Sequence, residues 1–194
     1  MTFSERIAQR INDSIATKQE LLTSEAAAAL PAVVEAVVTC LRGGGTVFFC
    51  GNGGSSTDAE HLSAELLGRF YYDRTALPSV NLSSNVAAVT AIGNDYGYDL
   101  IFARPLRGLG KKGDVLIGLS TSGNSANVIR AVEVAQELGM TAVGMTGSRG
   151  GKLAEIADHA LKMPSDDTPR IQECHMLLGH TLCELVEEEL CPPG

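Results

Sequence analysis

The first 42 residues show a helical pattern of apolar positions. An apolar residue recurs every four positions at the start of the chain, at Phe3, Ile7, Ile11 and Ile15. Residues 26–41 are rich in Ala, Leu and Val. Apolar residues at this spacing lie on one face of a helix, so the pattern predicts two helices over residues 1–42. We expect their apolar stripe to pack against other subunits.

Beyond this pair, short apolar runs alternate with helical segments. The runs predict strands at residues 46–50, 78–82, 114–119, 141–146 and 159–163. The segments between and after them predict helices at residues 126–138, 152–156 and 170–189, with residues 192–194 as a frayed tail. This alternation predicts an α/β fold, a doubly wound parallel sheet of about five strands with helices on both faces and ligands beyond the carboxyl ends of the strands. We expect residues 1–194 to form one domain.

Composition excludes several classes of protein. A net charge of -8 and the lack of a Lys- and Arg-rich block argue against nucleic acid as a partner. Charged residues interrupt the first 20 positions, and no later window is apolar enough for a membrane span, so we expect a cytoplasmic protein. The five cysteines have no CxxC spacing and are expected to be small buried residues rather than disulfide or zinc-thiolate partners.

Two loops at predicted strand ends are rich in hydroxyl, amide and glycine residues. The segment after the third strand carries four hydroxyls within six positions, at Ser120, Thr121, Ser122 and Ser125. Hydroxyls and the free N–H groups of a helix N-terminus bind phosphate, although a single hydroxyl there could simply cap the helix. The loop lacks the lysine of a nucleotide P-loop. The turn after the first strand, Asn52, Gly53, Gly54 and Ser55, offers further polar contacts.

Two pairs of polar residues could hold a metal ion. His61 and Glu65 lie one turn apart on a predicted helix, a spacing that fits either one metal ion or an ordinary surface pair. Gln172 and His180 interrupt the otherwise apolar last helix, but lie about 12 Å apart along a straight helix axis. Two imidazoles, a carboxylate and an amide fit zinc. One ion could contact both Gln172 and His180 only if it lay between them, or if different subunits contributed these residues.

These motifs together resemble the phosphoheptose isomerases of the sugar isomerase (SIS) domain family, nearly from end to end. The matching segments are GNGGSSTDAEH (51–61), AELLGRF (64–70), IGNDYG (92–97), GLSTSGNSANV (118–128), TGSRGG (146–151) and RIQE (170–173), with His180. The resemblance implies a flavodoxin-like SIS fold and interconversion of sedoheptulose 7-phosphate and glycero-manno-heptose 7-phosphate, the first step towards ADP-heptose for lipopolysaccharide. It also implies a homotetramer with active sites at subunit interfaces.

The resemblance further implies roles for individual residues. One zinc ion per subunit would be bound by His61, Glu65, Gln172 and His180. Substrate would contact Asn52, Gly53, Gly54, Ser55, Glu65, Arg69, Asn94, Asp95, Ser120, Thr121, Ser122, Ser125 and Gln172. Thr168 and Pro169 stand where some relatives carry an acidic residue, so no catalytic role is transferred to that position.

Isomerisation through an enediol requires a base and an acid. Glu65 is our candidate for the group that abstracts the proton, and His180 is its acid or base partner. A noncatalytic SIS protein is the main alternative, one that binds sugar phosphates or a protein such as the DnaA initiator. Such proteins keep the serine loop, whereas the four residues of the metal and acid/base set indicate an enzyme. A second alternative is an SIS enzyme that acts on an amino sugar phosphate or cleaves a sugar ether, but such enzymes usually carry paired or larger domains, which we do not expect in 194 residues.

Overall fold

Five parallel strands form one sheet in the computed structural model, which describes residues 1–192. The strands are β1 (Val47–Gly51), β2 (Ser79–Asn81), β3 (Val115–Leu119), β4 (Thr141–Thr146) and β5 (His159–Lys162). Their order across the sheet is β2-β1-β3-β4-β5, and every neighbouring pair is parallel. This is the flavodoxin-like order, in which the chain reverses direction across the sheet between β1 and β3. Of the predicted frayed tail, residues 193 and 194 lie outside the described residues.

Eight α-helices connect or flank these strands in the described part of the chain. They are α1 (Phe3–Leu21), α2 (Glu25–Arg42), α3 (Gly54–Leu67), α4 (Val86–Tyr96), α5 (Ala103–Leu109), α6 (Ala126–Glu137), α7 (Gly151–Ile156) and α8 (Thr168–Leu190). A short 3-10 helix, Tyr98–Leu100, joins α4 to α5. The N-terminal helix pair and the predicted strands are present, and the last helix begins two residues earlier than expected.

Side chains that alternate along the strands fill two cores, one on each face of the sheet. Phe49 and Ile117 point into the core shared with α2, α3 and α8. Phe48 and Leu116 point into the opposite core, which α5 and α6 cover. Strands buried on both faces read as continuous apolar runs, which is why their positions could be predicted. The doubly wound α/β fold is therefore confirmed.

Helices α1 and α4 are less covered than the others. The apolar stripe of α1 is exposed, from 83% at Phe3 to 48% at Ile15, and α4 has no buried residue. A hydrogen bond of 2.6 Å from Ser14 to Glu173 ties α1 to α8. Among the described residues, no single helix has the length and apolar composition to cross a membrane; only α1 and α2 taken together, with a 64° bend between them, meet those criteria.

The cysteines behave as small apolar residues. All five are free thiols; four are buried and Cys191 is half-buried. Burial raises the pKa of the Cys50 and Cys183 thiols to about 12. These thiols are therefore protonated at neutral pH and poorly reactive.

Helices α3 and α8 lie side by side and run in the same direction. Gln172 lies against Gly54 at the start of α3, and Leu62 packs against Gly179 further along. At the far end, Glu187 accepts a hydrogen bond from the backbone N–H of Phe70, just beyond α3. A side chain at Gly179 would overlap Leu62, so glycine permits the close approach of the two helices. This parallel pairing places His61 of α3 beside His180 of α8.

Candidate active site

The hydroxyl-rich loop between β3 and α6 forms a compact cluster. Ser120 is buried at the end of β3, and its Oγ lies 2.9 Å from Ser125 Oγ and 3.5 Å from Ser122 Oγ. Ser125 stands at the N-cap position of α6, but its hydroxyl makes no capping hydrogen bond. Helix capping therefore does not account for this loop. Its converging hydroxyls and the N-terminus of α6 form a polar cradle of the kind that binds phosphate.

The glycine turn after β1 is joined to the same region. The side-chain amides of Asn52 and Asn127 pair with each other through two hydrogen bonds of 2.8 and 2.9 Å. The Tyr98 hydroxyl also donates to Asn52 Oδ1, over 2.9 Å. Asn127 is buried in the first turn of α6, so it links the two loops where β1 and β3 end. This is the switch point of the sheet, where ligands of such folds bind.

Three of the four predicted metal ligands converge between α3 and α8. His61 Nε2 lies 2.9 Å from His180 Nε2 and 3.1 Å from Glu65 Oε1. One ligand atom from each of the three residues can be chosen so that all lie within 4.8 Å of one another. His61 and Glu65 are one turn apart on α3, as the sequence predicts, while His180 reaches them from α8. Because zinc is commonly bound by imidazole nitrogens and carboxylate oxygens, this donor set fits a zinc ion.

Gln172 lies elsewhere on the paired helices. Its amide packs against Gly54, which lies seven residues before His61 on α3. Gln172 itself lies eight residues before His180 on α8. The three-residue cluster thus lies roughly 10 Å along α3 from the glycine turn that Gln172 contacts. Gln172 therefore lies at the end of the site that is formed by the glycine turn.

Asp58 is a residue of this surface that sequence reasoning missed. It lies on α3 one turn before His61, in a surface cavity that Lys18 and Gln172 also line. Its Oδ2 atom is buried and has no hydrogen-bond partner among the described residues. Burial raises the pKa of Asp58, and the nearby His61 opposes that shift. Its three-residue spacing from His61 was a usable signal, as was the place of Asn127 directly after the serine loop.

The remaining predicted substrate contacts are exposed. Arg69 follows the end of α3, and Asn94 and Asp95 lie near the end of α4. The Asn94 amide donates to Asp95 Oδ1 over 2.8 Å. Among the hydrogen bonds of residues 1–192, none joins these three side chains to either loop or to the His61 cluster.

Comparison with known proteins agrees with the fold and the motifs. A family model described as the SIS domain matches residues 11–147. A phosphoheptose isomerase of Rhodospirillum rubrum is 53% identical over 164 residues, which cover 83% of this chain and 87% of the relative. The solved structure of a phosphoheptose isomerase from Francisella tularensis has a TM-score of 0.93 at 38% identity, covering 97% of this chain and 100% of that one. The structure of a phosphoheptose isomerase from Neisseria gonorrhoeae has a TM-score of 0.89 at 42% identity, covering 96% of this chain and 100% of that one.

Proposed function

Because the chain belongs to the phosphoheptose isomerases, which are isomerases of the SIS domain family, we propose that it converts D-sedoheptulose 7-phosphate to D-glycero-D-manno-heptose 7-phosphate. The observation that carries this proposal is the convergence of His61, Glu65 and His180 on the helix pair that begins at the glycine turn, which the Asn52–Asn127 hydrogen bonds join to the hydroxyl loop. A phosphate cradle alone would fit a sugar phosphate sensor as well. The acid, base and metal-binding groups on α3 and α8 favour an enzyme over such a sensor.

In the proposed reaction a proton moves between C1 and C2 of the sugar through an enediol. Glu65 takes the proton from C1 of the ketose, and His180 donates a proton to the carbonyl oxygen at C2. Return of the proton to C2 and loss of the O1 proton complete the aldose. Positioned acid–base groups of this kind contribute about 10²- to 10⁴-fold to a rate. The hydroxyls of Ser120, Ser122 and Ser125 hold the phosphate meanwhile.

We also propose that each subunit holds one zinc ion through His61, Glu65, Gln172 and His180. When bound, zinc would polarise the carbonyl and diol oxygens of the sugar. A carboxylate that ligates zinc is a weaker base, so either Glu65 would loosen from the ion in order to take a proton or the ion would act mainly as a template. The amide of Gln172 packs at Gly54 and must turn towards the cluster, or come from a neighbouring subunit.

The proposed assembly is a homotetramer of single SIS domains, with the α1 and α2 pair in the subunit contacts and active sites at the interfaces. Three surfaces support it: the exposed apolar stripe of α1, the uncovered helix α4 and the half-exposed His61. A neighbouring subunit would bring Asn94 and Asp95 to the substrate. The free thiols favour a reducing compartment, and we propose a cytoplasmic role in the first step towards ADP-heptose for lipopolysaccharide.

Substitution of the two acid–base residues tests this assignment. We expect Glu65→Gln and His180→Gln to lower kcat for heptose isomerisation at least about 100-fold, since each removes a proton-transfer group. Glu60→Gln, which changes an exposed carboxylate on the same helix, is the matched control and should keep wild-type turnover. Product formation is followed by NMR. Turnover near that of the wild type in either test variant would show that the assignment is wrong.

A further inference from the structure

A buried ion pair next to the candidate active site has no role in the reaction described above. Arg74 Nε lies 2.7 Å from Glu187 Oε1, and their side chains are 3% and 0% exposed. Buried charges are costly unless they are paired and fully hydrogen-bonded. The partners of this pair therefore indicate what it holds in place.

Glu187 holds the segment that leaves α3. Its carboxylate accepts hydrogen bonds from three successive backbone N–H groups, those of Phe70, Tyr71 and Tyr72, at 2.8, 2.5 and 3.2 Å. Burial alone would raise the pKa of Glu187, but these N–H groups and Arg74 hold it below its ordinary value. Residues 68–78 contain no helix or strand in the structure, so this charged carboxylate is what fixes the start of the segment against α8.

Arg74 holds the end of α3 itself. Its guanidinium donates to the backbone carbonyls of Glu65 and Leu66, both at 2.9 Å, and of Gly68 at 3.2 Å. The last carbonyls of a helix lack partners within the helix, and a cation is favoured at that end. Arg74 therefore caps the C-terminal end of α3. One of the carbonyls that it binds belongs to Glu65, a candidate catalytic residue.

The same network reaches the other candidate catalytic residue. Glu187 follows His180 by seven residues, about two turns along α8. The ring of Phe70, whose N–H Glu187 accepts, lies 5.8 Å from the His180 ring. Packing of Leu62 against Gly179 fixes how closely the two helices approach. Directional hydrogen bonds from the end of α3 to the buried charged pair add a constraint along the helix axes.

We propose that Arg74 and Glu187 form a positioning pair, which fixes α3 and α8 in axial register so that Glu65 and His61 meet His180. This inference rests on the proposed function, since it assigns the pair to the geometry of that site. It extends the set of residues on which the reaction depends to two that lie outside the cluster of His61, Glu65 and His180.

The test replaces Glu187 by Gln in the full-length protein. The variant keeps the side-chain shape but loses the charge and places an amide NH2 among N–H donors. We expect the dissociation constant for Co²⁺, read from its visible absorption, to rise about tenfold or more. We expect kcat to fall about tenfold with KM changed less than threefold. Glu189→Gln, two residues along α8 in an exposed pair with Arg42, is the control and should leave all three unchanged.

A second variant and a second readout keep the outcomes separate. Arg74→Lys retains the positive charge but loses the fork of donors, and decides the question by the same measurements if Glu187→Gln does not fold. The imidazole ¹³C resonances of histidine-labelled, metal-free protein should shift in both test variants and not in Glu189→Gln. If the wild type does not isomerise the heptose phosphate, the proposed function fails, and these resonances still test the pair. The proposed role of the pair would be overturned if the folded variants had the same histidine resonances, Co²⁺ affinity and kcat as the wild type.

Discussion

His175 is a titratable residue whose role is decided by burial. It lies on α8, is wholly buried, and its Nε2 is 3.4 Å from the Thr146 carbonyl oxygen. Burial lowers the pKa of His175 from its ordinary 6.5 to about 4, although the contact with Thr146 partly opposes this. The structure shows a neutral core residue.

His175 makes stability depend on pH. The unfolded chain takes up a proton near pH 6.5, whereas the folded protein resists protonation down to about pH 4. The contribution of His175 to the free energy of unfolding is therefore constant above pH 6.5. It falls as the pH is lowered from 6.5 towards 4, and the loss is about 2 kcal/mol at pH 5. Urea unfolding at pH 7.5 and 5 measures this.

The control for that measurement is the same experiment on two single variants. His175→Gln should lose this part of the pH dependence, whatever its absolute stability. His159→Gln, at a half-buried position on β5, should keep it. An unchanged slope in His175→Gln would contradict the account of this residue.

At the scale of single residues, local spacing predicted some of the candidate site. The i,i+4 pair of His61 and Glu65 was readable because one helix face carries both. The contact with His180 depends on the parallel alignment of two helices far apart in the sequence, and the same alignment carries Gln172 to Gly54. The spacing of Asp58 from His61 marks it as a possible member of the site, but the sequence gives no sign that one of its carboxylate oxygens is buried.

Among the elements, the loop after β3 depends on its contact with the loop after β4. Gly123 has φ +67°, and its carbonyl oxygen accepts the N–H of Leu153 over 2.8 Å. A methyl group at this position would collide with the Gly150 carbonyl. Backbone contacts with the loop after β4 and with the first turn of α7 therefore constrain the shape of the phosphate cradle.

We expect Gly123→Ala to damage the hydroxyl loop. The unfavourable φ should cost about 1–3 kcal/mol of stability, the collision should add to it, and the displaced hydroxyls should raise KM for the sugar phosphate. Thermal unfolding and steady-state kinetics measure the two effects. Gly108→Ala on α5, where a methyl group meets only open space, should be neutral or slightly stabilising. Equal behaviour of the two variants would contradict this view of the loop.

The predictability of the elements follows from where they are buried. Strands β1, β3 and β4 lie in the middle of the sheet with both faces covered, and their apolar runs located them to within a residue. No helix was predicted at α4, where no residue is fully buried and Val89 and Ile92 pack only in part against the core. An apolar face that is left uncovered within one chain does not reveal its partner.

At the scale of the whole molecule, the proposed tetramer depends on the exposed stripe of α1. We expect Ile11→Glu to dissociate the assembly, because it would bury a charge in an apolar subunit contact. Light scattering coupled to size-exclusion chromatography measures the mass. Ala16→Glu, an exposed position on the opposite side of α1, should leave the mass unchanged. A wild-type protein that is itself monomeric would contradict the proposed assembly.

Isomerisation of a heptose phosphate at a metal site is the activity that we propose for this chain. The most direct test is to incubate the zinc-loaded protein with sedoheptulose 7-phosphate and to follow the sugar by NMR, with and without a chelator. We expect D-glycero-D-manno-heptose 7-phosphate to appear, its formation to stop when the chelator is added, and zinc to restore it. No conversion by the zinc-loaded protein would contradict the account and favour a noncatalytic protein that binds sugar phosphates.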